Sequence, residues 1–557
     1  MQITPRAFLP ITLLAMAHSV IAAEPPGAGS QILQLPVTPM LQQLPPVIRI
    51  APAAPGTSQG ADTSRILVSQ LLFTGSSFYS EAALVAITGF MPNTELSLTQ
   101  LRGMAERIAS AYHQNGYLLA QAYLPAQDIK QGVVTITVRE GQYGKIRINN
   151  SSNLSNSVVS RSLENLHDGD VVRAAPLESN LLLLSDIPGV NIKSTLAPGS
   201  VPGTADLIVD VVPADRFSGS IDADNAGNRY TGADRIGATI NLNDPFGQGD
   251  LASLRVLSSG SGLNYARAMY QVPVGKARLG LAYSALHYHL GEEFAPLRAN
   301  GSAEIASVYV NYPLIRTRDT NLYVQGGLDA KTFQDRIDST GSVTDKRSHV
   351  ALVTLYGDHR DAVGGAGVTS GSLTLSSGTL DIETPVVRDI DALTAHTNGH
   401  FSKLAFTLAR LQGISESVSL YGALSGQLAS KNLDVSEKME LGGVNGVRAY
   451  PEGETFADQG YLVNLEVRYQ LPKLSPNFGG QVQLIGFADT GSVTINKNPW
   501  VDGANHRTLS AAGVGINVYE INNYTVKAYY ARRLGSETAV SAPDRSGRFW
   551  IQGVKYF

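Results

Sequence analysis

The 557-residue chain has no cysteine, so neither disulfide bridges nor thiolate metal sites are available to it. It has no apolar run of the roughly 18 to 20 residues that a transmembrane helix requires, and a mean hydropathy of -0.02 is that of a soluble protein. It has no excess of positive charge. The net charge of -4 and an isoelectric point near 6.2 argue against a dedicated nucleic-acid binder. It has no G-x-S-x-G elbow, Walker A loop or H-E-x-x-H helix, which leaves no recognisable catalytic centre and no implied cofactor.

What is present is alternation. Over roughly the last 340 residues, runs of about eight to twelve carry an apolar side chain at every second position, separated by Gly/Asn/Asp-rich turns. Tyr461, Val463, Leu465, Val467, Tyr469 and Leu471 interleave with Asn464, Glu466, Arg468 and Gln470. Phe217, Gly219, Ile221 and Ala223 alternate with Ser218, Ser220, Asp222 and Asp224, and Ile236, Ala238, Ile240 and Leu242 with Arg235, Thr239 and Asn241. Such a second face suits a wet lumen rather than a soluble core, so the pattern predicts a transmembrane antiparallel β-barrel. The 23 tyrosines fit interfacial girdles, and the 55 glycines fit twisted strands.

The N-terminus supplies an address. Arg6 precedes an apolar stretch from Ala7 to about Ala17, His18 ends it, and Ile21-Ala22-Ala23 offers small residues for cleavage, so residues 1–23 read as a signal peptide. Export combined with a barrel places the chain in the outer membrane of a Gram-negative bacterium, in contact with its lipid. Residues 24–63, rich in Pro, Ala and Gln, read as a largely unstructured linker; Pro36 and Pro39 leave room for no more than a short plug segment.

Two α+β units are expected between linker and barrel, at 64–142 and 143–215, with the barrel at 216–557. The first reads as a strand (Ile66 to Phe73), a helix (Ser80 to Thr88), a second helix and two strands (Tyr117 to Leu124, Val133 to Val138). Ser97 and Gln100 form a capping box for the second helix, whose buried face is Leu101, Met104, Ile108 and Tyr112, and Asn115-Gly116 ends it. The second unit repeats the order: Lys145 to Ile148, Asn156 to Leu166, Leu177 to Ser185, Val190 to Leu196 and Leu207 to Val212.

Motifs along these units carry a resemblance. F-T-G (Phe73 to Gly75), A-S-A-Y-H-Q-N-G-Y (Ala109 to Tyr117), Y-L-P-A-Q (Tyr123 to Gln127) and G-V-V-T-I-T-V-R-E-G (Gly132 to Gly141) run through the first. I-P-G-V (Ile187 to Val190), S-T-L-A-P-G (Ser194 to Gly199) and P-G-T-A-D-L (Pro202 to Leu207) run through the second. Together they resemble the POTRA domains of two-partner secretion transporters, the hemolysin secretion/activation protein family. The barrel adds G-G-V-N-G-V-R-A-Y (Gly442 to Tyr450), similar to the V-R-G-Y tip of a loop folded into the lumen, and F-A-D-T-G (Phe487 to Gly491), similar to the strand motif that receives it. Ala449 stands where the family has Gly, which disfavours a positive φ there.

The resemblance implies a mostly β protein with about sixteen barrel strands, or about 21 residues per strand and connection over 216–557. It implies a loop latch made by Val447, Arg448, Tyr450, Phe487, Asp489 and Gly491. Alternation in Val482 to Val493 puts Val482, Leu484, Gly486 and Ala488 toward lipid and Gln483, Phe487, Asp489 and Gly491 inward, with Ile485 an apolar exception. Arg448 can then pair with the lumenal Asp489. The implied partner is a large secreted β-helical exoprotein (hemolysin, adhesin or toxin), recognised unfolded in the periplasm. An edge near Gln127, Val134, Ile136 and Val138 is expected to dock it by main-chain addition. A barrel insertase and a passive porin are the rival functions. His287 and His289 are expected at a strand end near the interface, and His396 and His400 in a loop. The C-terminal Phe557 suits a barrel terminus, although Lys555 interrupts its apolar series.

Overall fold

The computed structural model describes residues 25–40, 47–50, 65–473, 475 and 477–557. The expected signal peptide lies outside them.

Sixteen strands, from Phe217–Asp224 to Gly547–Tyr556, form one closed antiparallel barrel in which chain neighbours are sheet neighbours. The first and last strands close it in the register Ile221↔Lys555 and Ala223↔Gly553, so no edge remains. Alternation becomes two environments. Leu465 and Val467 are 55% and 53% exposed on the outer wall, while Glu466 between them is 8% exposed inside. Strand-to-strand pairing runs all the way round the wall, as hydrocarbon demands. Three consecutive strands, Ala299–Arg316, Thr320–Ile337 and Ser342–Asp361, are 18 to 20 residues long, far longer than the 8 or 9 of the first three. His287 and His289 are exposed at the end of Ala277–His289.

The lumen departs from the wet channel expected. A helix, Ala28–Leu33, and the connection 430–458 fill it, and apolar side chains close around both. Residues that break strict alternation cause this: Ile485 points inward and packs with Phe487, Tyr529 and Trp550 against Leu441, Val447 and Tyr450 of the connection. The helix is held by polar groups as well. The Ala28 amide donates to Asp335 Oδ1 at 2.7 Å, Thr231 Oγ1 to Gln31 Oε1 at 2.9 Å, and Arg235 Nη1 to the Gln34 carbonyl at 2.8 Å.

The segment expected to be largely unstructured therefore contributes two elements. Besides the helix, Val47–Ile50 pairs in parallel with Val190–Pro198 and becomes an edge of the second unit's sheet. The prolines do limit the helix, to six residues.

In the first unit the anticipated single strand is two. Arg65–Val68 pairs with Thr94–Ser97, and Gln70–Thr74 pairs with Val133–Arg139. The break falls at Ser69, whose amide donates to the Gly132 carbonyl and whose hydroxyl donates to the Gln131 carbonyl. The strand anticipated from Tyr117 shrinks to Gln121–Tyr123, because Tyr117 to Ala120 turn back on the preceding helix. That helix, Leu98–Gln114, has both bonds of the Ser97/Gln100 capping box, and Gly116 follows at φ +82°. In the second unit the helix anticipated to Leu166 stops at Ser162.

The units form one continuous arm. Leu118 and Leu119 of the first pack against the core of the second, and the Ala174 amide donates to the Gly116 carbonyl at 2.8 Å. The second is then fixed to the barrel: Arg316 Nε and Nη2 donate to both oxygens of Asp186 at 2.8 and 2.7 Å, and Arg318 pairs with Glu178.

Candidate functional site

The site lies where the connection 430–458 meets the strands Gln459–Gln470 and Gln481–Thr494. Its tip is a tight turn: the Val447 amide donates to the Leu441 carbonyl at 2.9 Å and the Tyr450 amide to the Val447 carbonyl at 3.0 Å. Ala449 keeps a negative φ, unlike Gly443 at +88°, and buries its methyl group in the lumenal core.

The turn aims Arg448 at the wall. Its Nε and Nη2 reach Asp489 Oδ2 and Oδ1 at 2.8 and 2.7 Å, a bidentate pair, and its main-chain amide adds a third bond to Oδ2 at 3.1 Å. Nη1 reaches Glu466 Oε1 at 2.8 Å, and Arg468 donates to the other Glu466 oxygen at 2.8 Å. Two cations and two carboxylates thus form one neutral chain, which is how buried charge becomes tolerable. Asn464 Nδ2 supplies Asp489 Oδ1 with a further bond at 2.8 Å. The guanidinium carbon also stands 3.5 Å from the Phe487 ring centroid, in cation–π contact.

Each remaining residue of the implied latch has a position here. Phe487 lies across the pair, opposite Gly513, where a Cβ would run into its ring. Gly491 leaves room for Leu441, which a Cβ there would strike. Val447 is buried, and Tyr450 donates from its hydroxyl to the Glu537 carbonyl at 2.9 Å. Trp550, unforeseen, donates from Nε1 to the Arg448 carbonyl at 2.6 Å and so fixes the tip from the last strand.

A second set of contacts, also unforeseen, pins the base of the connection. Glu437 accepts from Lys331 at 2.6 Å and from Lys403 at 2.8 Å, and Asp434 from Lys346 at 2.7 Å. Asp458, fully buried, pairs with Lys438 at 3.1 Å and accepts from the Leu433 amide. The segment between these anions packs on the lumenal helix, where Gly29 leaves space for Ser436. In sequence, the only signal was lysine at inward positions of unusually long strands.

The docking residues expected in the first unit need correction. The strand carrying Val134, Ile136 and Val138 is the middle of its three-stranded sheet, and all three side chains lie in the core. Their regular alternation reflects burial, not a free edge. Gln127 is also committed: its amide donates to the Thr135 carbonyl and accepts from the Thr135 amide, both at 2.8 Å, extending the ladder as a further strand residue would. The outer strands are Gln70–Thr74 and Gln121–Tyr123.

The profile of the haemolysin secretion/activation protein ShlB/FhaC/HecB matches residues 203–518, and that of the ShlB-type POTRA domain matches residues 66–141. The chain belongs to this family of secretion proteins. It is 31% identical over 472 residues to the heme/hemopexin transporter protein HuxB of Haemophilus influenzae, covering 83% of this chain and 82% of the relative. It is 24% identical to the outer membrane transporter CdiB of Dickeya dadantii, covering 86% and 84%. The solved CdiB of Escherichia coli superposes with a TM-score of 0.69 at 19% identity, over 90% and 93% of the two chains, which speaks for the fold. The haemolysin secretion/activation family comprises outer-membrane transporters of two-partner secretion with POTRA domains in the periplasm. This chain is one of them, and it serves a secreted partner protein.

Proposed function

We propose that the chain takes one large β-helical exoprotein, unfolded, from the periplasm and passes it outward through the barrel, with the Arg448–Asp489 latch holding the lumenal connection in its resting seat. The observation that carries this is the filled lumen. A helix and a latched loop occupy the path, so the resting barrel is not the standing channel of a passive porin. Both occupants are held by apolar contacts together with ion pairs and hydrogen bonds, and the polar share can exchange for bonds to water at modest net cost when they leave.

Recognition begins, in this reading, at the exposed main chain of Gln121–Tyr123, an outer strand to which an extended segment can add. In the second unit, Val47–Ile50 already fills one sheet edge. No step requires a nucleotide or catalysis; folding of the exoprotein outside the cell makes the passage one-way. The name of the 31% identical relative makes a heme- or hemopexin-handling exoprotein the first to try.

The test is co-expression with that exoprotein, scored for its appearance in the medium. A chain lacking residues 66–141 should insert as a heat-modifiable barrel and leave the exoprotein inside. Equal yield in the medium with and without those residues would overturn the reading.

A further inference from the structure

Two glutamates of the lumenal connection meet inside the barrel mouth. Glu440 lies in the two-residue ladder with Phe456–Ala457, and Glu452 is buried on the tip side of it. Their carboxyl groups hydrogen-bond to each other. Two ionised carboxylates only accept, so this bond needs a proton between them. The fit is close. Gly443, at φ +88°, makes room for the Glu452 carboxyl group, which a Cβ there would strike, and the Gly453 amide donates to Glu440 Oε1.

The surroundings join the pair to the rest of the lumen. From the wall, Arg235 and Asp224 face it, themselves paired at 2.9 Å. The lumenal helix and the loop 225–234 bring the neutral amides of Gln34 and Asn228 beside Gly453. Glu454, on the same connection, is paired with Arg507. Arg235 also anchors the helix, because its Nη1 donates to the carbonyl of Gln34, the residue that ends the helix. Asp224 ends the first barrel strand and Arg235 begins the second, at the end of the barrel opposite the POTRA arm, so the cluster lies near the external medium.

While the pair is protonated, Asp224 balances Arg235. Once both glutamates ionise, three carboxylates share one guanidinium, and the repulsion falls on two side chains of one short loop. Burial raises both glutamates above the usual carboxylate value. A raised carboxyl stabilises the seated form at pH below its unseated pKa, and that contribution is lost as pH rises through the seated value.

We propose that Glu440 and Glu452 form a proton-operated lock: protons held between them keep the connection and the helix Ala28–Leu33 seated, and an alkaline external medium releases the helix. The lock acts without an exoprotein and is independent of how one is recognised.

The chain has no cysteine, so a single Ser30→Cys change, at a buried position of the helix, reports release through maleimide labelling. Its rate is divided by that of Val201→Cys, exposed in the arm, which cancels the effect of pH on thiol reactivity. For the full chain in nanodiscs with EDTA, the ratio should rise about tenfold between about pH 6 and pH 9. Glu440→Gln/Glu452→Gln preserves a hydrogen bond that cannot ionise and should keep the ratio low at both pH values. If the double variant loses heat-modifiability, Glu452→Gln alone carries the test and should at least halve the rise. A ratio independent of pH in the parental chain, or an undiminished rise in the folded variant, overturns the lock. Because no exoprotein is present, either result leaves the secretion reading untouched.

Discussion

Arg448 carries more of this molecule's organisation than any neighbouring residue, because it satisfies two carboxylates, one aromatic face and, through its carbonyl, Trp550. Truncation to alanine leaves Asp489 and Glu466 buried with reduced compensation, a loss on the order of 3–5 kcal/mol for a buried pair. Arg448→Ala should therefore unseat the tip and cut secretion about tenfold or more while the barrel stays heat-modifiable; unchanged secretion would refute the latch. Arg448→Lys should not rescue it, since a single ammonium cannot reproduce the bidentate fork. Glu140, in the periplasmic arm, makes a pH prediction. Burial acts to raise its pKa, but bonds from the Ser77 hydroxyl and amide, the Tyr112 hydroxyl and the Phe78 amide outweigh this and hold it below the usual value. Burial, with Glu140 beside it, pushes the Tyr112 phenol up to about 12. A lowered carboxylate contributes stability above its unfolded pKa, near 4.3, and loses it as pH falls through the folded value. A raised phenol contributes below about 10 and loses it as pH rises toward 12. The protection factor against hydrogen exchange at residues 108–117 of the full chain, corrected for the intrinsic pH dependence of amide exchange, should thus be highest on a plateau between those limits; Glu140→Gln should remove the acid limb, and an unchanged acid limb would contradict the assignment.

Among elements, the short helix Ala28–Leu33 shows how a weak local signal becomes structure. Six residues cannot sustain a helix in water, so its stability comes from the lumen that surrounds it: Ser30 and Gln31 are buried, and its first amides meet Asp335 and the turn carbonyl of Gly27. Gly29 is the contact point, since a Cβ there would stand 2.9 Å from Ser436 Cβ and 3.0 Å from its amide nitrogen. Gly29→Val should expel the helix and raise single-channel conductance in planar bilayers; conductance at the parental level would show that the helix does not occlude the path. Other elements needed no such enclosure. The helix Leu98–Gln114 was legible because its cap, apolar stripe and glycine terminator all lie in its own sequence. The strand Val133–Arg139 was equally legible, but its place in the middle of the sheet was not, because alternation reports which side chains are buried and says nothing of which strand lies alongside.

For the whole molecule, closure of the barrel settles what each lumenal residue can meet. The alternating runs determined by themselves that the last two-thirds of the chain crosses a membrane as strands, since period two with one polar face has no other stable home. The tandem units and the two barrel motifs are likewise written locally, and the motifs by themselves single out Arg448 and Asp489 as partners. The structure alone decided what lies between them and around them. Glu466, Trp550 and Lys331, Lys346 and Lys403 come from strands dispersed over more than 200 residues, and no periodicity relates them. The same holds for Val47–Ile50 and the helix before it, whose conformations depend on a partner sheet and an enclosing wall. Local bonding and periodicity are short-range and can be read along the chain; the pairing of charges across a closed cylinder depends on three-dimensional proximity, which exists only after the first strand has met the last.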